Sequence, residues 1–160
     1  MTSDESNPAL QKLRKFDPEA VEEAQVFRGE LTIHIRAHRL RAVCEFLRDE
    51  GDLSFKYLAD LTAVDHFPSE PRFETVYHLL SIETSERLRL KVRIGGENPQ
   101  VDSMVPIWPA ATGFECEVFD LFGIHFMGHP DLRRILLPEE WEGHPLRKDY
   151  PVQGSITQWP

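Results

Sequence analysis

Gly-His-Pro occurs twice in this chain, at Gly128-His129-Pro130 and at Gly143-His144-Pro145, and each copy is soon followed by a leucine and two basic residues, Leu132-Arg133-Arg134 and Leu146-Arg147-Lys148. Glycine turns the backbone through positive φ at little cost. Proline fixes its own φ and pushes the histidine before it toward extended conformations. The chain must therefore change direction at both places. Five prolines between residues 130 and 160 deny this region a helix or sheet core of its own. The segment is expected to lie against the rest of the domain, against a neighbouring chain, or both.

At 160 residues the chain suits one domain with a real core, or a smaller domain followed by an extended arm, and the prolines favour the second. No apolar run approaches the roughly 20 residues of a membrane-spanning helix, so any membrane association is expected to be indirect. Acidic residues from Asp4 to Glu23 sit where a signal peptide or transit peptide would need basic or apolar ones. The net charge of −9 argues against a nucleic-acid-binding face, which draws its affinity from accumulated cations. Residues 123–160 carry only −1 of it, from five acids and four bases, so the arm is nearly neutral. Cys44 and Cys116 lie too far apart in sequence to suggest a disulfide framework or a thiolate cluster.

A pass along the chain assigns residues 1–25 to a peripheral helical segment, with Pro18 breaking it and Glu19, Glu22 and Glu23 favouring a second helical turn. Residues 30–36 alternate apolar and polar side chains, the pattern of a half-buried strand, and are expected to form the first strand of the sheet. Leu40, Val43, Cys44 and Leu47 fall at helical spacing over residues 39–50. Residues 55–65, 73–83 and 88–94 read as three more strands, with Pro68, Pro71 and Gly95-Gly96 as breaks between or after them. Residues 101–108 are ambiguous. Residues 110–122 support a helix with Gly123 at its end. The fold class implied is α+β: a small mixed or antiparallel sheet packed with helices in a ferredoxin-like layout over residues 26–122, followed by an extended docking arm over 123–160.

The candidates for chemistry are few. His129, His144, Asp131 and Asp149 have the ligand types of a zinc or iron site, and would make a free-standing metal-dependent enzyme if they converged. Each histidine is pinned between glycine and proline, for which a hydrogen-bonded turn is the simpler explanation. Glu117 and Asp120 share a helix face and are expected to pair with Arg133, Arg134 or Arg147. Gly95-Gly96 lacks the rest of a phosphate-binding loop, so the chain is not expected to bind NADH itself. Cys116, among Glu115, Glu117 and Asp120, is in a poor setting for a thiolate nucleophile.

The run from Asp120-Leu121-Phe122-Gly123-Ile124 through Phe126, Gly128 to Leu137, Pro138, Trp141-Glu142 and Gly143 to Pro151 resembles the signature of the 30-kDa subunit of respiratory complex I, the bacterial NADH-quinone oxidoreductase. The match is dense over this stretch of Gly, Pro, Trp, His and Arg positions, whereas residues 1–113 resemble the family only in layout. One departure stands out. The family pattern has Glu-Arg-Glu ahead of this run, and here the positions read Glu115-Cys116-Glu117, which implies a compensating basic group nearby or a different packing.

The resemblance implies a non-catalytic structural and assembly subunit of the hydrophilic arm of a proton-translocating NADH-quinone oxidoreductase. It would carry no catalytic residue, metal or cofactor, with FMN, iron-sulfur clusters and quinone in partner subunits. Its partners would be the 49-kDa-type subunit at the quinone site and cluster-bearing neighbours, in a hetero-oligomer on the cytoplasmic side of the bacterial inner membrane. A related membrane-bound hydrogenase, or a complex linked to ferredoxin or cofactor F420, would use the same scaffold with another electron donor. The implied interface begins with Asp120, Gly123, Phe126, Gly128, His129 and Pro130. It continues through Asp131, Arg133, Arg134, Leu137, Trp141 and Gly143, and ends with Pro145, Arg147, Lys148, Asp149 and Tyr150, with His144 at its second turn. In this reading arginines lock the arm, while Leu136, Leu137, Trp141 and Tyr150 fill partner pockets.

Overall fold

The computed structural model describes residues 6–153. Residues 1–5 and 154–160, the two ends of the segments read above as a helical extension and an arm, lie outside the described residues. In chain order the described elements are α1 (Pro8–Phe16), β1 (Val21–Phe27), β2 (Glu30–Ile35), α2 (Leu40–Asp49), β3 (Tyr57–Asp65), β4 (Phe73–Ser81), β5 (Glu86–Ile94), β6 (Gln100–Asp102), α3 (Ala111–Phe122) and β7 (His125–Met127). Strands β1 to β5 form one sheet in the order β1-β2-β5-β4-β3, and β6 pairs with β7. The sheet is mixed, because α2 carries the chain from β2 to the far edge and the β3-β4-β5 meander returns to lie parallel to β2.

Alternation decides which side chains face the helices. Leu88, Leu90, Val92 and Ile94 of β5 are buried while Arg87, Arg89, Lys91 and Arg93 point to the other face. The buried side meets Leu40, Val43, Cys44 and Leu47 of α2 in one core. Trp108 lies in the same core and donates its indole N–H to the carbonyl of Phe55 at 3.1 Å. Burial pushes the Cys44 thiol far up, in keeping with an inert core thiol.

The N-terminal segment departs from the sequence reading. Its helix starts where Asn7 caps the N–H groups of Ala9 and Leu10 and Pro8 takes the first helical position, but it ends at Phe16. Leu10 and Leu13 are fully buried, so the segment expected at the periphery is part of the core. Val21–Phe27 is then strand, not helix, and β2 is the second strand of the sheet rather than the first. The turn joining β1 to β2 is Arg28-Gly29, both at positive φ (52° and 83°), the geometry a two-residue hairpin requires. Cross-strand pairing overrides the helical preference of Glu22 and Glu23.

Candidate docking surface

The arm from residue 128 onward runs along α3, and the two Gly-His-Pro turns bind its two ends. Gly128 and Gly143 both take positive φ, 84° and 83°. His129 holds the start of the helix: its Nε2 lies 3.1 Å from the carbonyl of Thr112, while Nδ1 accepts the backbone N–H of Asp131 at 3.0 Å. Acceptance at Nδ1 leaves Nε2 as the donor to Thr112. His144 holds the other end, its Nδ1 donating to the carbonyl of Asp120 at 2.9 Å. Burial holds the His144 imidazole below its ordinary pKa, with Arg147 and Arg134 acting in the same direction. The repeated device is a helix-end anchor used twice.

The last carbonyls of an α-helix have no partner within the helix. Those of α3 are taken by the arm: Asp120 by His144 and Arg134, Leu121 by the N–H of Leu146, and Phe122 by Nε of Arg147 at 2.6 Å. Cations at this end also meet the negative pole of the helix. Gly123 closes α3 in the left-handed region at φ 72°, and a Cβ there would come within 2.5 Å of the His144 ring. Only glycine suits both the dihedral and the space.

Asp120 is the centre of this arrangement. Its side chain is fully buried, one oxygen accepts Nη1 of Arg134 at 2.7 Å, and the other accepts the N–H groups of Ile135, Leu136 and Leu137 at 2.8–3.0 Å. Burial alone would push its pKa up, but Arg134 and the three backbone donors outweigh that and hold it below the usual carboxylate range. Arg134 extends the fork to the carbonyls of Trp141 and Gly143. The expected pairing of Asp120 with a nearby arginine is thus met by Arg134, whereas Glu117 is exposed.

The far end of the arm is latched to the β3–β4 hairpin. Asp65 accepts the N–H of Lys148 at 2.8 Å and a two-pronged bond from Arg72, which also reaches Asp149 at 2.6 Å. Burial opposes the Asp65 charge, yet Arg72 and two backbone N–H groups prevail and bring its pKa down to about 2. The Arg147 guanidinium lies over the ring of Phe73, 5.2 Å from its centroid.

These contacts redistribute the residues nominated from sequence. Asp120, Gly123 and Phe126 are buried inside this chain and shape the surface from beneath. Arg134, Arg147 and Asp149 fix the arm to its own domain. Leu137, Trp141, Pro145 and Tyr150 are half-buried, while Gly128, Pro130, Asp131, Arg133, Gly143 and Lys148 are exposed. Exposed apolar surface comes from Met127, Ile135, Leu136 and Leu146. Met127 and Ile135 escaped the sequence reading because neither stands in a recognisable pattern. Asp65, Arg72 and Phe73 escaped it because their partners in the arm lie more than seventy positions away in sequence.

The four candidate metal ligands have separate employments: His129 on Thr112, His144 on Asp120, Asp131 on Arg133, Asp149 on Arg72. Among the described residues no group of three or more His, Cys, Asp or Glu side chains is placed to hold a metal ion. At the Glu115-Cys116-Glu117 departure the neighbouring basic side chain is His129, whose Nε2 lies 4.0 Å from Glu115 Oε2. Glu115 is fully buried and accepts from Ser103 Oγ and the Met104 N–H, both at 2.6 Å, while burial pushes its pKa up. Cys116 lies 3.7 Å from His129 Nε2 and 3.5 Å from the Asp131 carbonyl, filling the space under the first turn.

Residues 33–155 match the family described as respiratory-chain NADH dehydrogenase, 30 Kd subunit. The C subunit of the NADH-quinone oxidoreductase of Roseiflexus sp. (strain RS-1) is 49% identical over 143 residues, covering 89% of this chain and 82% of that protein. Its counterpart in Geotalea uraniireducens (strain Rf4) is 43% identical over 150 residues, covering 94% and 90%. Among solved structures, a trypsin-resistant fragment of Nqo5 is 30% identical with a TM-score of 0.63 over 77% of this chain and 96% of that one. A chain of the membrane-bound sulfane sulfur reductase, an archaeal respiratory membrane complex, is also 30% identical, with a TM-score of 0.74 over 89% and 84%. The chain belongs to the 30-kDa subunit family of respiratory NADH dehydrogenases, and is a subunit of an oxidoreductase complex of that type.

Proposed function

We propose that this chain is a scaffold of the hydrophilic arm of a proton-translocating NADH-quinone oxidoreductase, and that its arm docks on the 49-kDa-type subunit beside the quinone site. The observation that carries the reading is the division of labour within the arm. Its charged groups paired within the chain fix its path on α3 and the β3–β4 hairpin, leaving Ile135, Leu136 and Leu146 exposed on a backbone that is already ordered. A preorganised apolar surface loses little freedom on binding. Flavin, iron-sulfur clusters and quinone then reside in partner subunits, and this chain acts on turnover through geometry. No helix among the described residues is long and apolar enough to cross a membrane. In this reading the chain is attached through the complex, on the cytoplasmic side of the inner membrane.

The likeness to a sulfane sulfur reductase chain supports a second reading, in which the same scaffold serves a complex with another electron donor. Purification of the tagged chain from its native membranes in mild detergent separates the two. Co-purification of the 49-kDa-type and cluster-bearing subunits with NADH-dependent quinone reduction is the expected result. Recovery with hydrogenase or sulfur-reducing activity would select the second reading, and a lone chain would refute both.

A further inference from the structure

This inference rests on the reading of the chain as one member of a larger assembly. On the face of the sheet turned from the helices, β5 presents Arg87, Arg89, Lys91 and Arg93 in alternation. Three of them are matched within the chain: Arg89 with Glu30 at 2.5 Å, Lys91 with Glu74 at 2.8 Å, Arg93 with Glu23 at 3.1 Å. The fourth, Arg87, has no hydrogen-bond or ion-pair partner among the described residues.

The ladder breaks where its surroundings become apolar. Register sets Arg87 beside Leu80 and Leu80 beside Tyr57, and on the far strands pairs Glu30 with Phe27. Phe27 is 65% exposed, Tyr57 54%, and Ile82, in the turn between β4 and β5, 73%. Beside this row opens a cavity of about 180 Å³ whose lining includes Ala59, His78, Leu80, Arg87 and the Glu30–Arg89 pair. His78 is held below its ordinary pKa first by burial and then by Arg89, while Asp60 and Glu30 act the other way, so the ring is kept neutral in this pocket.

We propose that this end of the sheet is a second docking surface, separate from the arm, which receives an apolar segment of a neighbouring subunit and pairs one of its acidic side chains with Arg87. Aromatic rings and an arginine around a pocket are the composition of interface anchors. An unmatched cation in a ladder that is otherwise matched marks where the opposite charge must come from outside. In a chain of net charge −9, such a concentration of cations on one strand is local rather than general.

The test uses the assembled complex. A benzophenone amino acid is placed at position 57 in one preparation and at position 136, in the arm, in another, and both are irradiated after purification. The position 57 probe is expected to couple to one peptide of another polypeptide, with an aspartate or glutamate in that peptide. Arg87→Glu should lower its yield more than tenfold, Arg87→Lys should largely restore it, and coupling from position 136 should not change. Coupling from position 136 but not from 57, or coupling from 57 to a peptide without an acid, overturns the second surface and leaves the arm reading intact. If no other polypeptide is recovered with the chain, both readings fall together.

Discussion

Arg147 donates to the carbonyl of Phe122 at 2.6 Å while its guanidinium lies over the ring of Phe73, 5.2 Å from the centroid, so one side chain ties the end of α3 to the start of β4. The carbonyls of Phe122 and Gly123 and an aromatic face hold Arg147. Arg147→Ala should free residues 143–150 and cost about 2 kcal/mol, the scale of buried acceptors left without donors. Arg147→Lys should recover less than half, because an ammonium cannot reproduce the planar fork. Hydrogen exchange is expected to show faster exchange in the arm and unchanged protection in the five-stranded sheet.

Removing Arg134 strands the buried Asp120 carboxylate, and removing the charge of Asp120 strands Arg134. Arg134→Ala and Asp120→Asn should each cost ~3 kcal/mol, the scale of a broken buried pair. The double variant should cost clearly less than the sum of the two. Urea titration of the four proteins reads the coupling directly, and additive losses would show that the two groups act independently.

The latch at Asp65 sets an acid limit. Its folded-state pKa of about 2 lies below the roughly 3.9 of an unfolded aspartate, so its contribution to stability is complete above pH ~4 and is lost as pH falls through 2. Glu115 has the opposite sign, because its raised pKa means that proton uptake favours the fold. Asp65→Asn should flatten the acid side of the stability curve between pH 4 and 2 while lowering the plateau at neutral pH. Thermal melts across that range check it; an unchanged acid slope would exclude Asp65 as the group responsible.

Gly123 and Gly128 share positive φ but differ in surroundings: a Cβ at Gly128 would meet nothing within 4 Å, while one at Gly123 would press on His144 and Arg147. Gly128→Ala should cost about 1 kcal/mol from the dihedral alone. Gly123→Ala should cost more and should also unseat the second turn, readable as a larger fall in the melting temperature and faster exchange at residues 144–147.

The sequence made α2, α3 and strands β2 to β5 legible because each has its own period and its own breaks. It also made legible the turns at Gly128 and Gly143, since glycine before His-Pro leaves the backbone few choices. It did not reveal β1, whose strand character comes from pairing with β2 rather than from Glu22 and Glu23 themselves. It offered Arg133, Arg134 and Arg147 as partners of Glu117 and Asp120 without choosing among them, and did not reveal that Arg147 ends on helix carbonyls. An arginine suits a partner's carboxylate and a helix's own carbonyls equally well, and only the path of the arm decides between them.

The capping of α3 by residues 144–147 has a bearing on how the chain is made. During synthesis the helix emerges well before the residues that satisfy its last carbonyls, and Asp65 and Arg72 emerge before the Lys148-Asp149 pair they hold. A nascent chain that has reached residue 130 carries a finished sheet and an open helix end. The surface proposed for a partner is thus assembled only after the sheet, and a premature stop within the arm would damage the domain that precedes it as well as the contact it makes.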